Sequence, residues 1–285
     1  MIDDETFLLA SRALRGLDHS SFKSHQLRFR SSRPFVRSSR KEPVHGCSRV
    51  SDGCTNCYAE RISRQYGHTD HEWTNEFASE NVTVRPDKLE EPYGLHEPTR
   101  VFVNSMSDLF HSEVPEEFIR EVFSVIRNCP EHIFQILTKR PGRAAHLPLE
   151  WPANVWMGTS VEDDRVTARI DMLSDVDAHT RFVSFEPLIG PVGEVDLSGI
   201  DWAIVGGESE PDDIRREMDH AWAREIYRQC REKDVAFFQT VECATAGTRT
   251  ATHSQERRVR RLRATEDPGT ARSSGDDHSH PKGDR

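Results

Sequence analysis

The sequence predicts an α/β fold in which strands and helices alternate as a full or partial (β/α) barrel of the TIM-like kind, entered through a cysteine-bearing loop. Three observations predict it. From Arg100 onward, apolar runs of strand length alternate with segments of helical periodicity, the signature of βαβ units and a parallel sheet. Each apolar run ends in polar or charged residues; in a barrel such tips converge on one face, whereas in a doubly wound sheet only those at a switch point meet. Ahead of the alternation, Cys47, Cys54 and Cys57 stand in GCSRVSDGCTNCYAER, separated by six and then two residues. They lead straight into a helix-like segment.

Residues 1–17 group Phe7, Leu8, Ala10, Leu14 and Leu17 loosely on one side, which predicts a short amphipathic helix. From His19 to Lys41, basic residues are set among serines and three phenylalanines. Such interleaving suits contact with a nucleic-acid backbone and its bases, and equally a solvated, poorly ordered extension. Residues 1–42 are read as this extension, basic from residue 19. After the cysteines, Ala59, Ile62 and Tyr66 recur at helical spacing and Gly67 is the stop. That places the thiols at a helix N-terminus, where unpaired amides favour thiolate and an anionic cluster. NVTVR, beginning at Asn81, alternates like a short strand, and Pro86 to Thr99 reads as a connection.

The regular part follows. VFVNSM, IFQILTK, VWMGTSV, RFVSFEPL, DWAIVGG and VAFFQTV read as strands; PEEFIREVFSVIRNC, DDRVTARIDMLSDV and HAWAREIYRQCREK read as helices. The barrel-like domain is assigned to 43–243. From Ala244 the periodicity vanishes, and 244–285 is read as a disordered tail rich in small, polar and basic residues.

Composition narrows the functional classes. A formal charge of −10 over 285 residues argues against a protein that coats nucleic acid, without excluding a local basic channel. No apolar run approaches the ~18 residues a bilayer requires, so no membrane partner is expected. The N-terminus is acidic at its start and lacks the layout of a signal peptide, which points to the cytoplasm. In a reducing compartment the clustered thiols stay available for metal. Cys129, Cys230 and Cys243 are scattered and read as packing residues.

Three thiols this close point to a metal site. A 4Fe-4S iron-sulfur cluster takes thiolate ligands, and three of them leave one iron open to a substrate or cofactor. A structural zinc site usually takes four ligands, and only His45 or His68 is near enough in sequence to be the fourth. Zinc therefore stands as the alternative. The strand tips supply the rest of the site: Asn104, Ser105 and Asp108; Lys139; Ser160 and Glu162; Glu186; and Gly206, Gly207 and Glu208. Lys139 and Arg140 bring positive charge suited to a phosphate or carboxylate. Glu186, set before Pro187, is the acid assigned to proton transfer, with Glu162 as a second carboxylate. Turn capping is the competing role for Asn104, Ser105 and Asp108.

Gly46-Cys47, Gly53-Cys54 and Cys57-Tyr58-Ala59-Glu60-Arg61 resemble the cluster loop of radical S-adenosylmethionine enzymes of the spore photoproduct lyase type. There three residues separate the first two cysteines; here six do. The longer spacing, with NSMSDLFHSEVP, QILTKRP, VWMGTSVED, RFVSFEPLIGPV and DWAIVGGESEP, resembles the phage gp thirty-seven/sixty-eight family over about residues 43–238. The resemblance implies a radical-enzyme-like barrel in which Cys47, Cys54 and Cys57 hold the cluster and S-adenosylmethionine is the cofactor. Tyr58 and the strand-tip residues would then bind that cofactor, Glu186 and Lys139 would serve catalysis, and an external electron donor would be needed. The substrate stays open among a nucleotide, nucleic acid and protein. Two other readings stand beside it: a zinc-stapled, non-catalytic nucleic-acid-binding protein, and an inactive remnant of the family, suggested by the divergence of both ends from the family pattern.

Overall fold

A computed structural model of the protein describes residues 37–209 and 214–240. The helix expected over 1–17, the basic segment as far as residue 36 and the tail from 244 lie outside the described residues. The first strand, β1 (Arg37–Lys41), is followed by β2 (Val44–His45) and β3 (Thr83–Val84), which pair antiparallel as a small ribbon. The remaining strands are β4 (Thr99–Val103), β5 (Ile133–Thr138), β6 (Val155–Ser160), β7 (Thr180–Phe185), β8 (Trp202–Val205) and β9 (Ala236–Gln239). β1 and β4 to β9 form one seven-stranded sheet, with neighbours parallel throughout and in sequence order.

That order never reverses, so the sheet has no switch point of the doubly wound kind. Right-handed crossovers that always advance in one direction place their helices on one face of the sheet. The alternation of side chains agrees: Val101, Val103, Phe134, Ile136, Val155, Met157, Val183, Phe185, Ala203 and Val205 belong to one buried core. The helices supply its other half. They are α1 (Tyr58–Gln65), α2 (Ala78–Asn81), α3 (Glu116–Asn128), α4 (Pro141–His146), α5 (Ala168–Ser174) and α6 (His220–Glu232). α3 buries Phe118, Ile119, Val122, Phe123 and Ile126, an i, i+4, i+8 stripe with its neighbours. α6 starts where Asp219 accepts the amide of Ala221 at 2.7 Å, and it buries Ala223, Ile226 and Cys230.

The opposite face of the sheet carries Gln135 beside Trp156, and Phe182 between Gly158 and Trp202. Phe182 stacks on Trp202 at 4.6 Å. Gly158 is required there, since a Cβ would fall 2.3 Å from the Phe182 ring. Among the described residues β1 and β9 are not paired with each other, so no closed barrel is seen.

The strands expected from VFVNSM onward and the helices expected at 115–129, 163–176 and 220–233 are all present, with ends shifted by a few residues. The domain boundary needs correction. β1 lies inside the segment assigned to the N-terminal extension, and the sheet starts at Arg37 rather than after residue 42. RSSRK carries no apolar alternation; it is an edge strand, paired on one side only, and needs none. No helix among the described residues is long and apolar enough to cross a membrane.

Candidate metal centre

The cysteine loop lies across the carboxyl ends of the strands, and particular residues hold it there. Gly46 bridges to Ser107 just beyond β4, donating its N–H to the Met106 carbonyl at 3.1 Å. Its φ is +81°, and a Cβ would sit 1.9 Å from the Asn81 carbonyl oxygen, so no other residue fits. Cys47 is thereby fixed above the tip of β4. Cys54 ends a single 3-10 turn over Asp52–Cys54. The adjacent Gly53 closes on Glu162, whose Cγ would be 2.2 Å from any added Cβ. Cys57 is the N-cap of α1, at the end of the helix where the first amides have no partner within the helix. The helix N-terminus expected from the sequence is where the third cysteine sits.

All three thiols are free and half-buried, and Cys54 is within electrostatic reach of both Cys47 and Cys57. Burial pushes the Cys47 thiol up to about 12, against the pull of the Arg140 guanidinium. Burial also raises the Cys57 thiol, opposed by the helix amides. Among the described residues no three of His, Cys, Asp and Glu converge so as to hold a single metal ion.

Every strand-tip residue assigned from the sequence lies beside this loop or on the same sheet edge, in three distinct states. Asp108, Glu162 and Glu208 are spent on protein partners. Asp108 accepts from Thr138 Oγ1 at 2.6 Å and from the amides of Phe110 and Lys139 and Arg140 Nη1, each at 3.0 Å. Glu162, 1% exposed, takes Arg169 Nη1 at 2.8 Å, Ser51 Oγ at 3.0 Å and Lys139 Nζ at 3.1 Å. Glu208 takes Asn56 Nδ2 at 3.0 Å, together with the amide and guanidinium of Arg216. Burial would raise its carboxyl, but the Arg216 and Asn56 hydrogen bonds hold it below the usual range. These carboxylates fasten the cysteine loop to β6 and to the segment after β8.

Ser105, Tyr58 and Ser160 are positioned by the backbone. The Tyr58 hydroxyl donates to the Ser105 carbonyl at 2.7 Å, and Ser105 and Met106 donate their amides to Glu42 at 2.9 and 3.0 Å. The Ser160 carbonyl accepts Arg169 Nη1 at 2.9 Å. Gly206 is walled in, with Thr240 Oγ1 and Glu186 Oε1 at 2.0 and 2.4 Å from where a Cβ would lie. Gly207 lines a cavity of about 250 Å³ with Glu208, Arg216 and Met218.

Asn104, Lys139 and Glu186 retain chemical capacity. Asn104 adopts φ 65°, a left-handed conformation uncommon outside glycine. It is 4% exposed, and its Nδ2 has no partner among the described residues. Lys139 binds Glu162, and its charge is felt by both Cys57 and Glu186. Glu186 accepts from Ser184 Oγ at 3.1 Å and Thr240 Oγ1 at 3.0 Å, and burial raises its carboxyl above the usual range.

Sequence reasoning missed Glu42, Ser51, Asn56, Arg169, Arg216 and Thr240. Each lies outside the apolar runs or opens onto a partner far along the chain, so no local signal marked them.

A family model described as "Protein of unknown function (DUF5131)" matches residues 37–266. No curated protein and no solved structure matches the chain.

Proposed function

The chain belongs to the DUF5131 family, and from the arrangement of its own residues we propose an iron-sulfur, radical S-adenosylmethionine-like enzyme that works on the carboxyl face of an open, partial (β/α) barrel. One observation carries the reading: a reduced three-cysteine loop is tied across the tips of β4, β5, β6 and of the segment after β8, where polar strand ends gather. A protein needing only a metal staple has no use for that placement. Cys47, Cys54 and Cys57 would hold a 4Fe-4S cluster, which when bound supplies an electron for reductive cleavage of S-adenosylmethionine. An external donor must restore it.

The chain's own residues divide the remaining work. Asn104 offers a buried amide donor with no acceptor among the described residues, suited to a carboxylate or hydroxyl of the cofactor. Tyr58, fastened through its hydroxyl to the Ser105 carbonyl just beyond β4, orients the helix that Cys57 caps. Lys139 places positive charge within electrostatic reach of Cys57 and Glu186. Glu186 is the proton-handling group, since its two partners are neutral hydroxyls. A nucleotide or nucleic-acid substrate in a cytoplasmic setting completes the reading. Anaerobic purification with an absorption spectrum and iron, sulfide and zinc analysis tests it. A brown protein with about four irons per chain supports the cluster; a colourless one with about one zinc replaces the reading with a structural site.

Glu186→Gln is expected to leave iron content unchanged and to slow turnover by about 10²-fold or more, the usual contribution of general acid-base catalysis. The pH behaviour has a definite sign. Burial raises the Glu186 carboxyl, so the stability tied to its protonated form is complete below the ordinary glutamate range and is lost as pH rises through the raised value. The Gln variant has no such loss. Thermal unfolding of both proteins across pH should show the variant gaining on wild type as pH rises; a constant gap would remove Glu186 from this role.

A further inference from the structure

We propose that Arg140 is a positioning residue of the cysteine loop, holding Cys47 by a charge-assisted N–H···S bond that shifts the bound cluster to a higher reduction potential. The inference rests on the cluster reading above. The guanidinium of Arg140 divides between two elements. Nη1 lies 3.0 Å from Asp108 Oδ2 and 3.5 Å from Cys47 Sγ. Nη2 lies 2.9 Å from the Ser48 carbonyl and 3.3 Å from Ser48 Oγ. Its side chain is 15% exposed, and it is committed to the protein rather than offered to a substrate phosphate. A planar fork is required, because a lysine ammonium is a point charge that cannot serve both sides in fixed directions.

The clamp is itself braced. Asp108 is fixed by Thr138 Oγ1 and by the amides of Phe110 and Lys139, and Thr138 Oγ1 accepts the Arg140 amide at 2.9 Å. On the loop side, Ser48 Oγ lies 2.8 Å from both His111 Nε2 and Asn75 Oδ1. His111 Nδ1 accepts the Glu113 amide at 3.1 Å, so in the neutral ring Nε2 carries the hydrogen and donates to Ser48. A cation and an N–H donor at a ligating sulfur both favour the reduced cluster, since potentials follow net charge and hydrogen bonds to sulfur.

The test uses full-length protein with Arg140→Met and Arg140→Lys. Asp108 keeps three donors in either variant, so both should fold. In metal-free protein, amide hydrogen exchange over residues 47–55 should quicken several-fold in the Met variant. In reconstituted protein, iron should be retained and the midpoint potential should move negative, with Lys between Met and wild type. Faster exchange with an unchanged potential overturns the tuning role and leaves a clamp; unchanged exchange and potential overturn both. If wild type binds no iron, the cluster reading has failed, and exchange in metal-free protein still decides the clamp.

Discussion

Replacing any one of Cys47, Cys54 or Cys57 by serine is expected to abolish iron retention, whereas Cys129→Ala and Cys230→Ala leave it intact. Three thiolates are the minimum that holds a cubane with one open iron, so losing one leaves two attachments and, among the described residues, no neighbour able to substitute. His45 Nε2 lies 3.1 Å from Ser63 Oγ, and its ring meets His68 edge-on at 4.9 Å. Both ring nitrogens of His111 are engaged with Ser48 and Glu113, and burial lowers its basicity to about 4. Cys129 and Cys230 are 1% and 0% exposed within the apolar core. Iron and sulfide analysis of anaerobically purified variants decides the matter. A single loop variant with full iron would end the one-site reading, and loss of iron from Cys230→Ala would point to general destabilisation instead.

What could be read in the sequence was whatever repeated locally. β4 to β8 announced themselves because each sends alternate side chains into the core against the helices, β9 because its apolar run packs Phe237 partly against that core, and α3 and α6 because their apolar stripes recur at helical spacing. β1 gave no such sign: an edge strand of Arg, Ser and Lys is held by its backbone pairing to β4 alone. α4, six residues opened by Pro141, is too short for periodicity to emerge. The site divided in the same way. Acidic residues at strand tips marked the face, but their duties depend on partners distant in sequence. Asp108 turned toward Arg140, Glu162 toward Arg169 and Ser51, and Glu208 toward Asn56 and Arg216. A carboxylate at a strand tip looks the same in sequence whether it meets a cofactor or a guanidinium. Glu186 kept its assigned character because no cation pairs with it directly among the described contacts.

That distinction sets the second large effect. Glu162→Ala is expected to lower stability by about 3–5 kcal/mol, the cost of breaking a buried ion pair, and so to lower Tm by about 10 °C. Lys139, 20% exposed, can turn to solvent; Arg169, 9% exposed, cannot and would keep only the Ser160 carbonyl among the described residues. The same substitution also frees Ser51 and opens space beside Gly53, where the cysteine loop now presses on the Glu162 side chain. Two consequences are therefore superimposed, one belonging to the fold and one to the site. The double variant Glu162→Ala, Arg169→Met separates them, because removing both charges eliminates the orphaned guanidinium. Thermal unfolding should recover most of the lost Tm, while hydrogen exchange across residues 51–55 should stay fast. If the loop regains protection together with Tm, Glu162 serves the fold alone, and the loop's seat over β6 is set by backbone packing rather than by this carboxylate.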